Sequence, residues 1–159
     1  MLPTKLQLDV VTPDKKLVSE QVDEVILPGR EGYLGVLPGH APLLTALTVG
    51  MVRYKQGSEF HLLSLAWGFA EVLPEKVTIL ADVAERADEI DLDRARAKKA
   101  EIEKRMKEGG EELDFAKAQA ALEKALVRIE VVEIQARHRG MGPERHIQRG
   151  GVPKSDITS

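Results

Sequence analysis

Glu31-Gly32-Tyr33-Leu34-Gly35-Val36-Leu37-Pro38-Gly39-His40-Ala41-Pro42-Leu43 packs three glycines and two prolines among apolar residues. Gly reaches backbone conformations that other residues resist, and Pro fixes φ and withholds an N–H donor. The segment must therefore turn sharply twice while its apolar residues stay packed. Taken alone it reads as a loop at the edge of a β-sheet.

Working outward, the flanks carry strand patterns. From Lys5 to Val11, Leu6, Leu8 and Val10 alternate with Lys5, Gln7 and Asp9, as a half-buried strand requires. Thr12-Pro13-Asp14-Lys15 reads as a turn, and Val22 to Leu27 as a strand ended by Pro28-Gly29. After the quoted segment come Val52-Arg53-Tyr54, a turn at Gln56-Gly57-Ser58, and strands over His61 to Leu65, Trp67 to Leu73 and Val77 to Ala81. Trp67 and Phe69 read as core. Short strands with turns at this spacing predict an antiparallel β-sandwich over residues 1–86.

Beyond Ala81 the period changes to helical, and Ala, Glu, Lys and Arg dominate. Asp91 is placed to cap a helix. Leu92, Ala95, Ile102 and Met106 form its seam, and Glu101–Arg105 and Glu103–Lys107 are favourable i,i+4 pairs. Gly109-Gly110 ends it. A second helix from Asp114 to Ala136 carries Phe115, Ala118, Leu122, Ala125, Ile129 and Val132 at steps of three and four. The expected fold is thus an antiparallel β-sandwich followed by an antiparallel two-helix hairpin over residues 87–136. Its seam is rich in alanine. A buried Leu or Ile contributes about 1.5–3 kcal/mol and a methyl much less, so the hairpin is weakly held and can adopt a second arrangement, or it lies on the sandwich permanently.

Residues 137–159 hold Gly140, Gly142, Pro143, Gly150, Gly151 and Pro153 with no apolar period, and read as a tail that is disordered or ordered by a partner. They carry five basic and two acidic residues, against 18 basic and 24 acidic before them. The tail's arginines with His138 and His146 suit anionic lipid headgroups or acidic protein, or are simply solvated.

The 159 residues suffice for one real core. With 31% charged and 4% aromatic residues, that core is aliphatic, and no apolar run is long enough to span a bilayer. Met1-Leu2-Pro3-Thr4-Lys5 lacks the layout of a secretory signal, so the chain is expected to stay where it is made. No cysteine is present, which removes disulfides, thiolate nucleophiles and zinc–sulfur sites. His40, His61, His138 and His146 show neither metal-pair spacing nor a neighbouring nucleophile, so no metal site and no catalytic residue is assigned. Gly29 to Gly39 lacks the Gly-Lys-Ser/Thr ending of a phosphate loop.

One cluster has chemical content. A hairpin turning near Gly110 brings Arg94 opposite residues near 126, close to Lys124 and Arg128. Three cations beside a helix N-terminus suit a polyphosphate. Alternatively Asp91, Glu85 and Glu123 neutralise them locally.

The quoted segment, with Leu8-Asp9-Val10-Val11-Thr12-Pro13 and Trp67-Gly68-Phe69-Ala70-Glu71-Val72, resembles the epsilon-subunit family of bacterial F-type ATP synthases in one register from about Leu6 to Glu133. Ile90-Asp91-Leu92-Asp93-Arg94-Ala95 is similar to the short motif through which some members bind ATP. That resemblance implies a nucleotide site at Glu85, Ile90, Asp91, Arg94, Ala95, Lys124 and Arg128. Glu101 and Lys124 stand where tight binders carry arginine, which implies weak regulatory ATP and no required cofactor. It implies a non-catalytic central-stalk subunit: Glu31, Gly32 and Tyr33 face the c-ring, although Tyr33 replaces an acidic residue of some relatives, and His40 faces the gamma subunit. The helices would switch between a folded hairpin and an extended form that reaches the alpha/beta hexamer through Lys117, Lys124 and Arg128 and blocks ATP hydrolysis. No nucleic-acid partner is implied. The expected location is peripheral, on the cytoplasmic side of the bacterial inner membrane, with a plastid origin also open. A stand-alone nucleotide sensor and a purely structural adaptor are the competing classes.

Overall fold

The structure, a computed structural model, describes residues 2–140. Eight strands come first: β1 (Leu6–Val11), β2 (Lys16–Val22), β3 (Glu24–Gly29), β4 (Gly32–Val36), β5 (Leu43–Leu47), β6 (Gly50–Gln56), β7 (Glu59–Leu73) and β8 (Lys76–Arg86). A single 3-10 turn, Ala87–Glu89, leads into α1 (Leu92–Glu108) and α2 (Phe115–Gly140).

The strands run in the order β2-β1-β8-β7-β5-β3-β4, and β6 bridges β3 and β7. All pairings are antiparallel except β1 with β8, which is parallel. β7 is the hub. Its first half pairs with β6 and its second with β5, while β8 follows it on the other side, so the two longest strands serve both layers of the sandwich. Leu6, Leu8 and Val10 on β1 meet Val25, Leu27, Val52, Tyr54, Val72 and Ile79 in one aliphatic core. The period of two in the sequence is the direct cause, since it places one face of each strand inside.

The opening segment does turn twice. Gly32 and Gly39 take positive φ of 130° and 89°, and the chain forms the edge strand β4, a loop over residues 37–42 and then β5. β2, β4 and β5 were not expected as strands, β4 lying within the segment read as a loop, and the two expected strands at 61–65 and 67–73 are one.

The reading of Trp67 and Phe69 as core is corrected: they are 40% and 58% exposed. Along β7, Leu63 and Leu65 point into the core, but further on Ala70 and Val72 do so. Trp67 has φ 66° and Gly68 φ 153°, and this left-handed step exchanges the two faces of the strand without changing its register with β8. Odd-numbered residues beyond it face outward.

In α1, Asp91 caps the helix, its Oδ1 accepting the Arg94 N–H at 3.1 Å, and the Gly109 N–H closes the far end on the Arg105 carbonyl. Its surface pairs are Lys98–Glu101 and Lys99–Glu103, not the expected Glu101–Arg105 and Glu103–Lys107. α2 continues past Ala136 to Gly140, so Arg137, His138 and Arg139 are helical; the rest of the expected tail, including His146, lies outside the described residues. Ala95, Ile102 and Ala125 are the fully covered seam residues of the hairpin, and Phe115 is 52% exposed. A second apolar face of α2 that the stripe did not contain, Val127, Val131 and Ile134, packs on Leu62, Ala87 and Ile90 of the sandwich side.

The turn between the domains is pinned to the β1–β2 corner. Lys15 Nζ donates to Glu89 Oε2 at 2.7 Å, and the Arg86 N–H donates to Glu89 Oε1 at 3.0 Å. The Lys15 bond, then the backbone bond, hold the Glu89 carboxyl below its ordinary 4.5. A depressed carboxyl contributes stability that is present above its unfolded value and lost as pH falls through the folded one. The Tm difference between the protein and its Glu89→Gln variant should therefore be full at neutral pH and vanish below the folded value, which calorimetry across that range will read.

Candidate functional site

A cleft of about 520 Å3 separates the hairpin from β7 and β8. Its walls are apolar where Leu65, Ala66 and Val83 face Ala120, Ala121 and Ala125. Alanine on α2 is what keeps it open, because Ala120, Ala121 and Ala125 present only methyl groups toward the sheet. Its charged groups are Lys98 on α1, Lys117, Lys124 and Arg128 on α2, and Glu85 on β8, with Ser64 as a further polar group. Arg128 Nε donates to Glu85 Oε1 at 2.7 Å and its NH2 nitrogen to Oε2 at 3.3 Å, a forked ion pair in which both partners are only partly exposed. Local neutralisation by Glu85 thus accounts for Arg128. Lys117 and Lys124, with Lys98 also paired to Glu101 on α1, make a cationic wall that suits an anion.

Of the residues expected in a nucleotide site, Glu85, Lys124 and Arg128 meet here. The other four do not line the cleft. Ile90, 8% exposed, packs with Leu62, Ala87 and Val131, and Ala95 is fully buried. Asp91 is a helix cap, and Arg94 is exposed. The expected apposition of Arg94 with Lys124 and Arg128 is therefore corrected. Arg96 pairs with Glu133 at 2.9 Å, a register that carries Arg94 about two turns past Arg128, and Lys98 is the α1 cation that lines the cleft. The connection runs over residues 109–114, so its midpoint falls beyond Gly110 and shifts the register in that direction.

Glu31 and Gly32 are exposed in the β3–β4 corner. Tyr33 is 60% exposed, but its hydroxyl accepts the Met51 N–H at 3.1 Å, which ties the ring to β6. His40 is half-buried, its N–H donating to the Leu37 carbonyl and its Nδ1 lying 2.7 Å from the Ala41 carbonyl oxygen.

The sequence reading missed an apolar face. Phe69 is cross-strand neighbour to Ala46 on β5 and to Leu80 on β8, with Leu44 diagonal to it. Leu44, Phe69 and Leu80 are 72%, 58% and 57% exposed. Large apolar side chains gathered on three adjacent strands mark an interaction surface. The signal available was Trp67-Gly68, a glycine inside a strand pattern.

Among the described residues no helix is long and apolar enough to cross a membrane, and no group of three or more His, Asp or Glu is placed to hold a metal.

Comparison with known proteins follows this division of the chain. Residues 5–87 match the family described as "ATP synthase, Delta/Epsilon chain, beta-sandwich domain", and residues 88–133 match "ATP synthase, Delta/Epsilon chain, long alpha-helix domain". The ATP synthase epsilon chain of Syntrophobacter fumaroxidans is 49% identical over 129 residues, spanning 81% of this chain and 96% of that one. Its counterpart in Nitratidesulfovibrio vulgaris is 52% identical over 126 residues, spanning 79% and 94%. A chain of the Euglena gracilis mitochondrial ATP synthase, solved by cryo-EM as OSCP/F1/c-ring in rotational state 1, superposes with a TM-score of 0.61 at 25% identity, covering 84% of this chain and 82% of that one. A sandwich and a helical hairpin that each match one half of the same family, with bacterial epsilon chains as relatives along nearly their whole length, place the chain: it belongs to the ATP synthase delta/epsilon chain family.

Proposed function

We propose that the chain is a non-catalytic rotor subunit of the central stalk of a proton-translocating ATP synthase, held peripherally on the cytoplasmic side of the membrane. The sandwich couples c-ring rotation to the gamma subunit, and the helices brake ATP hydrolysis. The observation that carries this reading is the loose seat of the hairpin. An alanine-rich α2 leaves a cation-lined cleft over β7 and β8, so part of its length gains little from docking.

The cleft gives the switch its logic. Arg128 is paired with Glu85 while the hairpin is folded and so is withheld from any other acidic surface, and Lys117 and Lys124 line the same cleft. Released, they are the groups that meet the alpha/beta hexamer. ATP favours the folded form only by binding it better than the extended one. With its triphosphate against Lys98, Lys117 and Lys124 it would do so weakly, since lysine offers point charges rather than planar forks. The apolar face of Leu44, Phe69 and Leu80, with His40 nearby in sequence, is the surface for gamma. The β3–β4 corner, Glu31, Gly32 and Tyr33, is the surface for the c-ring.

The test is ATP hydrolysis by a matched alpha/beta hexamer with gamma, titrated with the full chain and with a chain stopped after Asp88. The sandwich keeps its own core without the helices, so the short chain should fold. Inhibition by the full chain and uninhibited binding of the short one is the expected result. Equal inhibition by both makes the helices passive. If neither binds, the rotor reading is wrong, and the cleft is then to be titrated with ATP as a site in its own right.

A further inference from the structure

β7 outruns its partner. It begins at Glu59, whereas its pairing with β8 ends at Leu63 opposite Arg86, where the chain leaves for the 3-10 turn. Phe60 and Leu62 lie opposite Lys55 and Arg53 of β6, and their own N–H and C=O groups point to the side that β8 has left. An unpaired sheet edge under a docked helix is costly, because buried N–H and C=O groups require partners.

One side chain of α2 supplies both. Gln135, 5% exposed, donates from Nε2 to the Phe60 carbonyl at 2.9 Å and accepts the Leu62 N–H on Oε1 at 2.8 Å. A C=O at one residue and an N–H two residues on, both bonded to a single partner, is the pattern of a parallel ladder, with a carboxamide in place of a peptide group. Around it Val131 packs against Leu62 and Ile90, and one turn later the His138 ring lies 5.2 Å from that of Phe60. The other end of the hairpin stands over the open cleft.

We infer that Gln135 is the positioning residue that fastens this end of the hairpin to the sandwich by completing the open edge of β7, about two turns beyond the Arg128–Glu85 pair. Shape and apolar area would let α2 rotate or slide on Leu62; two directional bonds to adjacent ladder groups do not. The release of α2 therefore requires the loss of this pair of bonds. The fastening is a property of the isolated chain and stands whether or not the helices brake hydrolysis.

Amide hydrogen exchange of the full chain, resolved by residue, tests it. Gln135→Leu keeps the volume and removes both bonds, and should lower protection of the Leu62 amide and of residues 127–138 by about tenfold, with Val10 and Ile79 unchanged. Gln135→Glu is the rescue variant. At neutral pH its carboxylate opposes the Phe60 carbonyl and protection falls; when protonated it donates to that carbonyl and protection returns. Tyr54, His61, Arg86, Asp88 and Arg139 surround the site, so protection is taken relative to the unaltered chain at each pH. Unchanged protection in Gln135→Leu, an equal loss across the whole sheet, or the absence of acid rescue in Gln135→Glu would each overturn the inference.

Discussion

Gly68→Ala is expected to cost the sandwich about 3 kcal/mol or more, because backbone strain and overlap add. Gly68 has φ 153°, and a Cβ there would lie 2.2 Å from the Leu80 carbonyl oxygen and 2.9 Å from the Ala81 Cα. Both are backbone atoms of the paired strand, so no side chain can swing aside. The alternative, a shift of β8, would disturb Val77, Ile79 and Ala81 in the core. The same step directs Ala70 and Val72 inward, so a relaxed backbone at residue 68 would turn Phe69 toward the core and Ala70 out of it. Calorimetry should show a fall in Tm of about 10 °C or more. A loss below about 1 kcal/mol would mean that β8 yields easily and that the exchange of faces does not depend on Gly68.

The paired change Phe69→Glu with Leu80→Glu should abolish attachment to gamma while leaving the fold intact. Both side chains are exposed and directly opposite one another, so their loss opens no cavity in the sandwich. If this face docks on gamma, two carboxylates buried there without partners weaken binding by about thirtyfold or more, the scale of losing a central hot spot. Trp67, the single tryptophan of the chain and 40% exposed beside this face, provides the readout. Its emission should move to the blue when gamma binds the unaltered chain and stay put with the double variant. Full attachment of the double variant would transfer the gamma surface elsewhere, with His40 the next residue to change.

These two positions also show how far local pattern reaches. Alternation over Leu6, Leu8 and Val10 and the turn chemistry around Gly32 and Gly39 led directly to the sandwich, because each depends on residues two to four apart. The caps of α1 were legible for the same reason: Asp91 and Gly109 act on their own helix. β2 was less visible, since Lys16, Ser19, Glu20 and Gln21 leave only Leu17, Val18 and Val22 to signal it. The alternation in β7 misled at Trp67, where one left-handed residue reverses which parity faces inward. Of the candidate cleft, Glu85, Lys124 and Arg128 were found, whereas Lys98 and Ser64 were not, since helix register is a property of the assembled hairpin.

The sequence by itself determined the class of this protein: a sandwich whose strands alternate with a period of two, a helical pair capped at Asp91 and opened by glycines, and a family membership spread over both. Only the tertiary structure decided which cations share a cleft, that Phe69 and Leu80 form an outer face, and that Gln135 completes the edge of β7. The reason is one of range. Strand period, caps and turns are set by neighbours along the chain, whereas the Arg96–Glu133, Arg128–Glu85 and Gln135–Leu62 contacts join residues 37, 43 and 73 positions apart, and their geometry exists only once the chain has packed.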